Sequence, residues 1–280
     1  MSLSISQNRG NAILRAFGKT KVAIGVVHCP AFPGAPGFEG GPVEPVYDRA
    51  LRDAEAYVRG GIDGLIIENH GDIPFLKPGE IGPETAAAMA VVTERVRRAF
   101  DVPIGINVLA NAAIPALAVA KAAGAAFVRV NQWANAYVAN EGFIEGEAAR
   151  VLRYRAAIGA KDVMIFADTH VKHGAHAIVA DRSVAELTRD VEFFGADAVI
   201  ATGQRTGDPV DFDELAMIGR STGLALLVGS GVTDGNIEGI FRHADGVIIG
   251  SFLKAGGVWW DPVDQAKVSA FMRQVAALRA

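Results

Sequence analysis

The chain has 280 residues, half of them hydrophobic and 21% charged, with a formal net charge of −4. That composition supports a sizeable core without staples, in one large domain or two small ones, and it argues against a nucleic-acid partner because no run of Lys or Arg is present. The single cysteine, Cys29, excludes an intramolecular disulfide framework and fits a reducing, cytoplasmic setting, while no apolar run approaches the ~18 residues of a membrane span.

In chain order, residues 8–18 read as a short helix within an N-terminal extension, 1–20, that lacks the features of a signal peptide. The first β-branched run, KVAIGVVHC (21–29), opens a series of predicted strands that continues at 64–70, 102–109 and 127–133. Four more follow at 163–170, 198–203, 224–230 and 246–252. Between them, helical periodicity covers 46–60, 83–100, 113–123, 145–159, 183–195, 211–222, 234–243 and 262–279. Ser183 and Asp211 are the expected N-caps, and Gly60, Gly159 and Gly195 the expected stops.

Alternating strands and helices imply a parallel sheet, and eight repeats of about 32 residues imply closure into one (β/α)8 TIM barrel over 21–280. Two connections are long enough to cover a site. The loop 30–45 after the first strand holds five of the twelve prolines, which predicts a stiff lid or an oligomer contact, and ANAYVANEGFIEG (134–146) is a second cover. Trp259-Trp260 fits either a subunit contact in a homo-oligomer or packing beneath the last helix.

Five of the six histidines fall at or just beyond strand C-termini: His28, His70, His170, His173 and His176. That is the rim on which barrel active sites are built. Side chains alternate along a strand, and the helix-facing side must be apolar. Parity therefore turns Glu68, His70, Asn107, Arg129, Asn131, Asp168 and His170 into the lumen, and leaves the first strand ambiguous because both its faces are apolar up to His28. The competing reading is a buried structural network in which Arg129 neutralises Glu68 or Asp168, though such a network has no reason to collect at one rim.

Small residues follow the seventh and eighth strands, as Gly229-Ser230-Gly231-Val232-Thr233 and as Gly250-Ser251. Barrels often bind phosphate between these loops, so Gly229, Ser230, Gly231, Gly250 and Ser251 are the expected anion cradle, with Lys254 as a neutralising or merely surface cation. Asp168-x-His170 with His173 has metal-ligand spacing, so a divalent ion is possible although the cofactor is left unknown. No lysine lies on the sixth strand, where Schiff-base aldolases of this architecture carry one, and Lys172 would be an irregular substitute. Cys29 reads as a packed thiol, and His243 as a surface or capping residue.

The ordered series VVHCPAFPGAPG, IIENHGDIPF, GINVLAN, FVRVNQW, IFADTHVKH, VIATGQRTG, VGSGVT and ADGVIIGSFLK resembles the BtpA/SgcQ family over roughly residues 21–270. The resemblance implies a ribulose-phosphate-binding type of barrel, in a family often linked by name to photosystem I biogenesis. The family commonly has tyrosine or a similar residue where this chain has His70, and Met-Ile-His where it has Val26-Val27-His28.

Three functions follow as expectations. One is an enzyme using a small phosphorylated ligand, with Asp168 or Glu68 as base, His170 or His28 as acid, and Arg129, Asn107 and Asn131 stabilising negative charge. The others are a non-catalytic assembly factor, and a metal-dependent hydrolase using Asp168, His170 and Glu68.

Overall fold

In the computed structural model, residues 11–203 and 210–279 are described; the first ten residues of the extension and positions 204–209, within and beyond the GQRTG motif, lie outside them. Eight parallel strands form at the predicted places: β1 (Val22–His28), β2 (Gly64–Glu68), β3 (Ile104–Asn107), β4 (Phe127–Val130), β7 (Met164–Asp168), β9 (Ala198–Thr202), β10 (Ala225–Gly229) and β11 (Gly246–Ile249). They close on themselves in the order β1-β11-β10-β9-β7-β4-β3-β2. Around them run α2 (Glu44–Arg59), α3 (Pro83–Ala99), α4 (Ala113–Ala123), α5 (Ala148–Ala157), α6 (Val184–Phe193), α7 (Phe212–Ser221), α8 (Ile237–Phe241) and α9 (Gln265–Ala277). The fold is the (β/α)8 barrel.

Local chemistry explains the helix ends. Ser183 Oγ accepts from the Glu186 amide, and Asp211 accepts from Asp213 and Glu214, satisfying amides that have no partner within the helix. Gly159 and Gly195 follow α5 and α6 at positive φ, +66° and +82°. α2 ends at Arg59 with Gly60 as its C-cap, the expected stop, where a Cβ would lie 2.4 Å from Val268, and Gly61 follows at φ +90°.

Two apolar layers result from strand alternation. The outer one packs Ala23, Val27, Leu65, Ile67 and Ile106 against the helices. The inner one fills the barrel with Ile24, Val26, Ile66, Phe127, Phe166, Ile200, Leu227 and Ile248. Phe127 and Phe166 stack at 4.4 Å, and Gly105 leaves the space that Phe127 needs, because a Cβ there would sit 2.1 Å from the ring. The short helix α1 (Ala12–Phe17) plugs the lower mouth with Ile13 and Phe17, its first turn capped by Asn11.

Three short strands were not expected. β5 (Ala136–Ala139) pairs with β6 (Gly142–Glu145) as a hairpin, and β8 (Gly174–Ala175) adds to its edge. The stretch proposed as a cover is thus an ordered small sheet over the top of β4 and β7. The proline-rich loop 30–45 packs against the loop after β2. Phe32 is fully buried, its amide donates to Asp72 Oδ1 at 2.8 Å, and Gly71 lets the two loops touch, with any Cβ there only 2.4 Å from the Ala31 nitrogen.

Candidate functional site

The top layer of the barrel interior follows from parity and register. Inner residues Ile24 and Val26 carry the even face of β1 inward and so bring His28 into the lumen, which resolves the strand the sequence left ambiguous. His28 lies level with Glu68 on β2, and Glu68 with Asn107 on β3. Continuing round, the layer holds Arg129, Asp168 and Thr202, then Gly229, which pairs with Thr202, and Gly250 just past β11. One arc is polar and bulky; the other is nearly without side chains. The difference opens a cavity of about 690 Å³ lined from both arcs.

Glu68 is the centre of the polar arc. Its Oε2 accepts from Asn107 Nδ2 at 2.5 Å, His70 Nδ1 lies 2.9 Å from Oε1, and His28 Nε2 lies 3.6 Å from the same oxygen. Burial works against its charge, yet the hydrogen bond from His70, with His28 and Arg129 nearby, holds the carboxyl well below the usual range. Burial also lowers the His28 pKa, well below that of an ordinary histidine, with Glu68 only partly opposing it. Trp259 closes the edge of this group, its ring 4.5 Å from that of His70 and 6.1 Å from that of His28.

Arg129 is gripped by Asp168 in a two-pronged pair, Nε to Oδ1 at 3.1 Å and Nη2 to Oδ2 at 3.0 Å, and Asn131 adds a bond to Oδ2 at 3.3 Å. Arg129 and Asn131 line the cavity; Asp168 does not. Because Asp168, unlike Glu68, does not reach the cavity wall, it positions the guanidinium and is poorly placed as a base.

The structure places His170 elsewhere. β7 ends at Asp168, so alternation no longer governs the next residues. His170 Nδ1 pairs with Glu214 of α7 at 3.1 Å, and its ring meets that of His176 at 4.2 Å. His170 therefore does not join the cluster. His176 stacks on Tyr137 at 5.3 Å and bonds the Val171 carbonyl at 2.8 Å, which anchors the hairpin. His173 lines the cavity.

The small-residue arc needs its own corrections. Ser230, Gly231, Gly250 and Ser251 line the cavity, as do Val232 and Thr233. Gly229 does not. A Cβ there would meet first the Ile200 side chain, at 3.1 Å, whereas at Gly250 a Cβ would lie 2.7 Å from the His28 ring, so Gly250 is the glycine that makes room for a residue of the polar arc. The loop is bent by two consecutive left-handed residues, Ser230 at φ +102° and Gly231 at φ +63°, and is closed by Asn236, which bonds Gly231 O and the Thr233 amide. Lys254 neither faces the ligand nor lies on the surface. It is fully buried and ion-paired to Asp53 at 3.0 Å. The lysine lining that side is Lys267 of α9, its Nζ held by the carbonyls of Lys254 at 2.8 Å and Ala255 at 3.0 Å.

Two further residues escaped sequence reasoning as members of the site, Tyr137 and Trp259. Tyr137 lies on a four-residue strand and Trp259 in a turn, where no periodicity reports orientation. Lys172, read only as an irregular possibility, lines the cavity beside Ser230. For a metal, the described residues offer His28, Glu68 and His70, whose ligand atoms lie within 4.8 Å of one another, rather than Asp168 with His170. Two histidines and one carboxylate suit a borderline divalent ion with open positions. Cys29 is buried, with its thiol pKa pushed up by burial, and His243 is exposed.

A model of the BtpA family matches residues 19–277. The chain belongs to the BtpA family. A protein of Archaeoglobus fulgidus, described as an uncharacterized protein, is 44% identical, over 90% of this chain and 98% of its own. The photosystem I biogenesis protein BtpA of Synechocystis is 36% identical, over 94% of this chain and 91% of its own. Among solved structures, a thiamine phosphate pyrophosphorylase of Pyrococcus furiosus is similar at a TM-score of 0.58, with 14% identity over 95% of this chain and all of the other. An N-(5′-phosphoribosyl)anthranilate isomerase of the same organism is similar at 0.57, with 11% identity over 92% and 99%. At those identities the likeness shows the barrel fold alone. No helix among the described residues is long and apolar enough to cross a membrane.

Proposed function

We propose that this BtpA-family barrel is a cytoplasmic enzyme that performs acid/base chemistry on a small phosphorylated metabolite, a sugar phosphate or a nucleotide-like compound. The observation that carries the reading is the pairing of a polar arc with a small-residue arc across one cavity, in which His28 Nδ1, Asn107 Oδ1 and Asn131 Oδ1 are buried with no hydrogen-bond partner among the described residues. Buried polar atoms left without partners are costly, and a ligand that binds them removes the cost. Phosphate fits the loops Ser230–Thr233 and Gly250–Ser251, with Lys267 as the nearby cation.

The reacting part of the ligand would then face Glu68. This carboxylate stays ionised and serves as base, neutral His28 carries the proton onward, and Arg129 with Asn107 and Asn131 stabilises developing negative charge. The names of both structural neighbours contain a phosphorylated compound, which agrees with this reading. The Synechocystis relative's name brings an assembly role as a second reading. An assembly role alone gives no reason to bury Glu68, Arg129 and two amides in one open cavity, so the enzymatic reading is favoured.

A thermal-shift series tests it. Ligand at a hundredfold excess over its Kd adds about 2.7 kcal/mol of stability, so sugar phosphates or nucleotides should raise the Tm while their dephosphorylated forms do not. Gly231→Asp, which tolerates the left-handed backbone and adds a repelling charge, should abolish the shift. A flat series across both compound classes sinks the proposal. For an identified substrate, Glu68→Gln should cut turnover by about a hundredfold or more and leave the ligand shift intact.

A further inference from the structure

We infer that Lys172 is the nucleophilic amine of this cavity, and that the phosphorylated ligand carries an aldehyde or ketone which Nζ captures as an imine. The inference rests on the reading of the cavity as a phosphorylated-metabolite site.

Lys172 and Lys254 are both drawn into the protein near the top of the barrel, and their surroundings differ in the respect that decides their chemistry. Lys254 has a carboxylate at 3.0 Å, from Asp53, and is a fixed structural cation. Among the described residues Lys172 has no carboxylate within ion-pair distance, and its Nζ reaches the Ser230 hydroxyl, at 3.3 Å, on the wall of the cavity. Ser230 holds φ +102°, a conformation that side chains rarely adopt, and such strain persists only where the surroundings impose it. The loop that would take phosphate and the amine are thus in direct contact.

Electrostatics act in the same direction. Burial, and then the Arg129 guanidinium, disfavour the ammonium form, and although Glu68 and Asp168 oppose them the pKa is lowered to about 8. An unperturbed lysine, at about 10.4, is less than about 1% neutral at pH 8. An uncharged amine is the form that attacks carbonyl carbon.

The chemistry balances without an oxidant or reductant. The Nζ lone pair forms a bond to the carbonyl carbon while the C=O π pair moves to oxygen. Proton transfer from nitrogen to oxygen gives a carbinolamine, which expels water as the C=N bond forms. His28 and Glu68, both lining the cavity, are the groups available to carry those protons.

Pyridoxal 5′-phosphate is a suitable probe because it joins an aldehyde to a phosphate. The full chain would be incubated with it at pH 8, reduced with borohydride, and mapped by peptide mass spectrometry. The expected result is an adduct on Lys172 at least about tenfold above any other lysine, suppressed by inorganic phosphate and rising as pH is raised through about 8. Pyridoxal, which has no phosphate, should lose that preference, and Lys172→Arg, which keeps the positive charge, should lose the adduct with its Tm preserved. Labelling spread over surface lysines, or none at Lys172, overturns the inference. Glycerol 3-phosphate, which has no carbonyl, separates the two readings. If it stabilises the protein while Lys172 stays unlabelled, only the imine fails; if the phosphorylated series also gives no shift, the phosphate reading fails with it.

Discussion

His28 must stay neutral in the folded chain, because burial removes the water that would solvate an imidazolium and Glu68 compensates only in part. Its side chain is 7% exposed, so screening by solvent does little to soften the effect. A folded pKa below the unfolded value near 6.5 means that the unfolded chain binds the extra proton first. Stability from this group is complete above about pH 6.5 and is lost as pH falls below it, at up to about 1.4 kcal/mol per pH unit. Urea unfolding at pH 7.5, 6.0 and 5.0 should therefore show a shallower acid slope for His28→Gln than for the parent chain. Parallel slopes would contradict the buried neutral state.

At the scale of elements, the small sheet of β5, β6 and β8 is the cover of the cavity, and one residue sets its fit. A Cβ on Gly174 would lie 2.2 Å from the Tyr137 ring, which is buried, lines the cavity and stacks on His176. Gly174→Val should push Tyr137 out and loosen residues 136–145 at an overpacking cost of about 1–3 kcal/mol. Hydrogen exchange is the measurement. Amides of 136–145 should exchange at least about tenfold faster, with those of β1 and β2 unchanged; uniform protection would show that the cover does not depend on this contact. Periodicity could not reveal this sheet. Its strands are two to four residues long, too short for a period-2 pattern to stand out from loop composition. The eight barrel strands were legible because each is an apolar run buried on both faces.

Over the whole molecule, the barrel is closed by contacts between its first and last units. Lys254, after β11, pairs with Asp53 of α2 across 201 residues of sequence, and the other Asp53 oxygen accepts from the Val263 amide at 3.0 Å. Removing one member leaves the other charged and buried. Lys254→Met should cost about 3–5 kcal/mol, and adding Asp53→Asn should recover much of that loss in equilibrium urea unfolding. Additive losses would mean the two residues act independently.

Spacing along the chain was enough to give the order of strands and helices, the rim on which the polar residues gather, and, by parity within each strand, the inward aim of Glu68, Asn107 and Arg129. These are local properties, because a strand's alternation and a helix's period are written in neighbouring residues. Only the tertiary structure decided that β1 turns His28 inward, that His170 leaves the lumen for Glu214 once β7 ends, and that Lys254 belongs to Asp53. It also decided that Gly250 serves the His28 ring. Those facts depend on which residues meet when the barrel closes, and the spacing of residues along the chain carries no record of that meeting.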